Sequence, residues 1–144
     1  MRNPDMKFRE KLAEGFLLEA KQDLDLKRWR SCVDNSQLSV ENAAKMAFGI
    51  FGSAAKNHRP AQALQRLIKE GRFPGAFRAV AERLADCADH LGPETHVQSD
   101  YGDETTGLTP WEIFGEEEAR VTLSLAEEAL ALARQLGAWA ESQD

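Results

Sequence analysis

Two cysteines, one tyrosine and five prolines in 144 residues leave little room for several familiar designs. Cys32 and Cys87 have no second Cys at metal-ligand spacing, and each falls at an apolar position of a helical pattern. Buried free thiols are expected, as in a reducing compartment. The three histidines and scattered carboxylates show none of the usual ligand spacings, such as two His four apart on a helix, so no metal site is expected. A Gly-rich phosphate loop is missing, as is a Ser or Cys nucleophile in a recognisable setting. Common hydrolases and redox enzymes are thereby disfavoured, and no cofactor is expected. The longest nearly apolar run, Met46 to Ala55, holds two Gly and a Ser and falls well short of the roughly 20 residues of a membrane span. The N-terminal MRNPDMKFREKL mixes both signs of charge and lacks an apolar signal stretch, so a cytoplasmic protein is expected. Period-two alternation of β-branched residues and internal repeats are absent as well.

What is present is helical periodicity. Phe8, Leu12, Phe16, Ala20 and Leu24 recur every four residues and predict an amphipathic helix over about Pro4 to Leu24. Trp29, Val33, Ser36, Val40, Ala43, Ala47 and Phe51 form a heptad-like seam, predicting a second long helix that ends near Gly49 or Gly52 and packs antiparallel to its partner. Little turn chemistry separates the two around Asp25 to Lys27. Pro60 starts a shorter helix with Ala61, Leu64, Leu67 and Ile68 on one face, closed by Gly71. Phe77, Val80 or Ala81, Leu84, Cys87 or Ala88 and Leu91 mark a fourth helix, stopped by Gly92-Pro93. A last helix runs from about Glu116 to Trp139 with two apolar stripes, Leu125/Ala129/Leu132/Leu136/Trp139 and Leu123/Ala126/Leu130/Ala133. Between Gly92 and Glu116 the pattern predicts a long irregular segment, interrupted by one helical turn at Thr109-Pro110-Trp111-Glu112, which has capping-box spacing. The expected architecture is all-α, an up-and-down four- to five-helix bundle forming a single domain over 1–144. Phe16, Val33, Val40, Phe48, Val80, Leu84, Leu125 and Leu132 are its expected core.

The net charge of −6 conceals an asymmetry. From Lys27 to Arg83 eleven Lys/Arg stand against four acids, a net +7; from Leu84 to Ala119 there are ten acids and no Lys or Arg, a net −10. The two regions either neutralise each other within the fold or across a dimer, or the basic stretch meets phosphate. Overall acidity argues against nucleic acid as the main ligand. The second stripe on the last helix, beyond what one contact covers, points to a homodimer.

The stretch WRSCVDNSQLSVENAAKMAFGIFGSAAKNHRPAQAL from Trp29, together with HVQSDYGDETTGLTPWEIFGEEEARVTLSLAEEAL from His96, resembles prokaryotic HEPN-domain proteins. The resemblance implies a helical bundle and frequent homodimers. It also implies one of two roles: a metal-independent ribonuclease whose Arg is followed after four to six residues by His, or the partner of a small nucleotidyltransferase in a toxin–antitoxin pair. This sequence departs from the ribonuclease pattern. The positions required before His58 hold Phe51, Gly52 and Ser53, and those before His96 hold Asp89, His90 and Leu91. Only Arg83 and His90 have the spacing, and they fall inside the fourth helix, away from the family's motif position. Asp100 stands before Tyr101 where related sequences often carry Arg.

Gln37, Glu41 and Lys45, spaced i, i+4, i+8, share one face of the second helix. Either they form a surface ladder, or with Asn42, His58 and Tyr101 they make a groove for a nucleotide or a partner helix. His58 is a general base by intrinsic pKa or simply a backbone-bonded histidine beside Pro60. The leading expectation is a dimeric binding module that pairs with a nucleotidyltransferase-type protein or binds a nucleotide without cleaving RNA. The alternatives are a ribonuclease toxin using Arg83 and His90, and a purely structural interaction domain.

Overall fold

The computed structural model describes residues 4–52 and 59–143. Its helices are α1 (Pro4–Asp25), α2 (Trp29–Phe48, extended by a 3-10 turn Gly49–Phe51), α3 (Pro60–Lys69), α4 (Ala76–His90), α5 (Pro93–Tyr101), α6 (Pro110–Ile113) and α7 (Glu116–Ser142). The fold is an all-α bundle. Among the described residues no helix is long and apolar enough to cross a membrane.

The heptad-like seam is the axis of the bundle. Val33, Ser36, Val40, Ala43 and Ala47 are buried, while Trp29 and Phe51 pack partly buried at its two ends. α1 returns antiparallel to α2: Ser39 Oγ donates to the Ala13 carbonyl at 2.7 Å, and Asn35 Nδ2 to Asp23 Oδ2 at 2.8 Å. α7 runs parallel to α2, with Cys32 Sγ 3.6 Å from the Ala119 carbonyl at one end and the Phe51 and Trp139 rings 6.4 Å apart at the other. The residues between these helices are small: Ala13 and Ala20 on α1, Ala43, Ala44 and Ala47 on α2, Ala126, Ala129 and Ala133 on α7, all buried. Small side chains let helix backbones approach at the short end of the usual 8–10 Å separation, roughly. Phe51, Phe73, Phe77 and Trp139 then plug the C-terminal end of α2, with Arg72 stacked 4.4 Å over Phe51.

Four expectations are corrected. The buried face of α1 is Met6, Ala13, Leu17 and Ala20, so Phe8 points outward and Leu12 and Phe16 are only half-buried. The large residues had dictated the stripe, but close contact with α2 selects the small ones. Val33, Val40 and Leu84 are fully buried, whereas Phe48, Val80, Leu125 and Leu132 pack at the core's edge and Phe16 lies outside the core cluster. Both stripes of α7 are used within the chain, because α7 packs against α1, α2 and α4 together. Finally, residues 93–101 are helical rather than irregular. Gly92-Pro93, which stops α4, also starts α5, with Pro93 in the first turn. Ser99 alone of this helix is buried, so it has no apolar period to read.

The turns follow from local chemistry. Gly71 takes φ +73° in a Schellman closure of α3, its N–H bonding the Ile68 carbonyl and that of Arg72 the Leu67 carbonyl. The α1–α2 turn has the same bonds, Lys27 N–H to Leu24 and Arg28 N–H to Asp23, but Lys27 occupies the φ +58° position that Gly usually fills. Gly102 is required twice over: its φ is +77°, and a Cβ there would run into the Leu108 carbonyl. Val40→Asp, which buries an unpaired carboxylate in the seam, is expected to cost on the order of 4 kcal/mol or more. Loss of the cooperative transition in a circular-dichroism melt is the expected result.

Candidate functional site

The face of α2 carrying Gln37, Glu41 and Lys45 divides. Lys45 pairs with Glu41 at 3.6 Å. Gln37 and Glu41 line a cleft of about 90 Å³ with Arg59, Pro60, Asp89, Gly92 and Glu94, where α2 meets the starts of α3 and α5. Gln37 is 1% exposed. Its Nε2 donates to the Leu91 carbonyl at 3.5 Å, which orients the amide and leaves Oε1 without a partner among the described residues. An orphaned buried acceptor costs about 1–3 kcal/mol. Two residues assigned to this groove lie elsewhere. Asn42 points to α1, accepting from Arg9 Nη1 at 3.2 Å, and Tyr101 stands 75% exposed at the far end of α5. His58 lies outside the described residues, though its neighbours Arg59 and Pro60 border the cleft.

The Arg83–His90 pair is brought to exposed positions on α4. Arg83 is spoken for: its Nε and Nη2 each donate to a carboxylate oxygen of Glu128 on α7 at 2.7 Å. That bond holds Glu128 below the usual carboxylate range.

A second concavity, of about 320 Å³, lies at the N-terminal end of α2. Lys27, Arg28, Trp29, Arg30 and Ser31 line it together with Trp111 and Phe114. Arg28 is the N-cap residue without a side-chain cap, and the first helical bond is Cys32 N–H to the Arg28 carbonyl at 2.9 Å. The N–H groups of Trp29, Arg30 and Ser31 therefore precede the ladder, at the positive end of the helix dipole. Trp111 is 73% exposed, with the Arg30 guanidinium 5.6 Å from its ring. Its position is built by the turn Gly102 permits and by α6, where Glu112 Oε1 accepts from the Thr109 N–H at 3.1 Å and hydroxyl at 2.9 Å. These bonds, the backbone one first, pull Glu112 below its ordinary value. From the sequence no site is assigned here, the basic stretch being read as a whole and the groove placed on Gln37, Glu41 and Lys45. The tetrapeptide Lys27-Arg28-Trp29-Arg30 at a helix start was its signal, and Trp111 joins only through tertiary contact.

Arg30 is anchored from the other side. Its Nη1 donates to the Ser99 carbonyl at 2.7 Å and to Asp100 Oδ1 at 3.4 Å. Ser99 Oγ donates to Asp34 Oδ1 at 2.9 Å, and the His96 Nδ1 lies 3.3 Å from the same oxygen. Polar bonds from α2 thus hold α5 in place. Burial pushes the Asp34 carboxyl above its ordinary value, and the Asp100 charge adds to this against the Ser99 bond and His96.

Bundle and pockets together define an all-α helical module with a basic, aromatic-walled recess. The HEPN domain family model matches residues 6–142, and the chain belongs to that family. In structure it is similar to TT1696 from Thermus thermophilus, known from a crystal structure, with a TM-score of 0.67 and 19% identity over 94% of this chain and 99% of that one. The likeness supports the fold. A search of curated proteins gives no match.

Both cysteines are free and buried as expected. Burial, with a contribution from Asp23, pushes Cys32 from 9.0 up to about 11. Native protein is therefore expected to leave a bulky thiol reagent unreacted, with two thiols released per chain in denaturant. Because unfolded Cys32 loses its proton from pH 9.0 and the folded thiol keeps it to about 11, this contribution to stability is intact below that window and lost through it. Denaturant midpoints measured across the window check the sign.

Proposed function

We propose that this chain is a single-domain, dimeric HEPN binding module that holds a nucleotide at the α2 N-terminus and does not cleave RNA. The observation that carries the reading is the recess of Lys27, Arg28 and Arg30 beneath the exposed Trp111 ring. Cations and unladdered N–H groups suit phosphate, and the indole face offers a stacking platform for a base. Against RNA cleavage stand a recess lining that, among the described residues, includes no histidine, and the engagement of Arg83 by Glu128. The Gln37–Glu41 cleft, with an acceptor that has no partner among the described residues, suits a donor-bearing group of a nucleotidyltransferase-type partner, as in a toxin–antitoxin pair. For the homodimer the surplus apolar surface lies on α1 rather than α7: Phe8 is 49% exposed beside Leu12, with Lys7 and Lys11 flanking both. Those lysines suit the acidic 84–119 stretch of a second copy.

Titration with AMP and ATP, followed by tryptophan quenching, tests the pocket. Saturable quenching that weakens with salt is expected, and Trp111→Ala is expected to weaken it about tenfold, in line with 1–3 kcal/mol for one stacked base. Absence of binding at millimolar nucleotide would reject the reading. Lys27→Gly separates fold from site, because relief of the left-handed backbone is expected to stabilise the chain by about 1 kcal/mol while binding weakens. Total RNA is expected to survive incubation; cleavage abolished by His90→Ala or His58→Ala would instead establish the ribonuclease. Light scattering is expected to report a dimer that loosens with salt, and a monomer at low salt would remove the dimer from the proposal.

A further inference from the structure

α5 assembles a ligand set that the linear pattern conceals. His96 and Asp100, four residues apart, face the same side of this helix, where α2 supplies Asp34. One ligand-type atom from each of the three lies within 4.8 Å of the others. His96 Nε2 is 3.6 Å from Asp100 Oδ2, and its Nδ1 is 3.3 Å from Asp34 Oδ1. We propose that Asp34, His96 and Asp100 bind one divalent transition-metal ion, best matched by zinc, which clamps α5 to α2.

The geometry is close to what such an ion needs. One ion takes a single ring nitrogen of His96, so the figure that bears on the site is one ligand atom from each residue within 4.8 Å; with bonds of roughly 2.0–2.2 Å, ligands around tetrahedral zinc stand about 3.4 Å apart, which side-chain rotations here would reach. Both carboxylates are oriented by their neighbours, Asp34 Oδ1 accepting from the Ser99 hydroxyl and Asp100 Oδ1 from Arg30. Asp34 and Asp100 also face each other closely enough for the charge of one to oppose ionisation of the other. A cation between them removes that repulsion. The imidazole selects the metal class, since magnesium and calcium favour all-oxygen shells whereas zinc takes mixed nitrogen and oxygen donors. Three protein ligands at a partly exposed position leave a fourth for water. Arg30, the one cation on the cluster among the contacts above, reduces the charge and sets a moderate affinity. The site adjoins the nucleotide recess through Arg30 but does not require that a nucleotide bind there. Sequence spacing predicted no metal because 93–101 did not read as a helix, so the four-residue interval carried no meaning.

The test uses tag-free, chelator-stripped full chain titrated calorimetrically with zinc chloride. One ion per chain is expected, with a raised melting temperature and no matching signal from magnesium. Asp34→Asn and His96→Gln are each expected to weaken binding about tenfold or more. On the intact chain, the ¹⁵N resonances of the His96 imidazole are expected to shift with zinc while those of His90 hold still, a readout independent of whether either variant folds. Absence of saturable uptake at about millimolar zinc, uptake undiminished in a folded His96→Gln variant, or an unmoved His96 resonance would each overturn the proposal.

Discussion

Close contact between α2 and its neighbours is the constraint from which the rest of the molecule follows. A helix covered by both α1 and α7 packs closely where its neighbours are small, and buried alanines line all three helices: Ala43, Ala44 and Ala47 on α2, Ala13 and Ala20 on α1, and Ala126, Ala129 and Ala133 on α7. Buried polar groups on such a helix need partners at short range. Ser39 finds the Ala13 carbonyl and Cys32 approaches that of Ala119, bonds available only because the backbones lie so near. Large aromatics are displaced to the ends, as Phe51, Phe73, Phe77 and Trp139 show.

With α2 held this way, its two ends acquire different characters. The C-terminal end is sealed by rings. The N-terminal end stays open, because Arg28 lacks a capping side chain and the turn before it places Lys27 in a left-handed conformation. Backbone strain at a lysine, where glycine would serve, is the pattern expected where a side chain is retained for function. Arg30 links this end to α5, so the basic recess and the Asp34–His96–Asp100 cluster share a wall.

Much of this was legible in the residues themselves. The alternating three- and four-residue spacing of α2 survived intact because burial on two sides leaves a continuous apolar seam. Start and stop signals at Pro60, Gly71 and Thr109 proved accurate since each acts through its own backbone. The first stripe of α1 misled: Phe8, Leu12 and Phe16 carry the greatest hydrophobicity, but fit against α2 favours Ala13, Leu17 and Ala20. α5 escaped notice for the opposite reason, being held by Arg30, Asp34 and Ser99 rather than by apolar burial.

The sequence by itself determined the helical class, the path of the long helices, the burial of both thiols and the kinship with HEPN domains, because periodicity and local punctuation act over neighbouring residues. Only the tertiary structure decided which residues meet across the chain. It sent Asn42 to Arg9 and Arg83 to Glu128, set Trp111 over Arg30, and drew His96 and Asp100 up to Asp34. Those partners lie 33 to 81 positions apart, and their meeting depends on how closely small residues let the helices pack, a property of the assembled bundle rather than of any one segment.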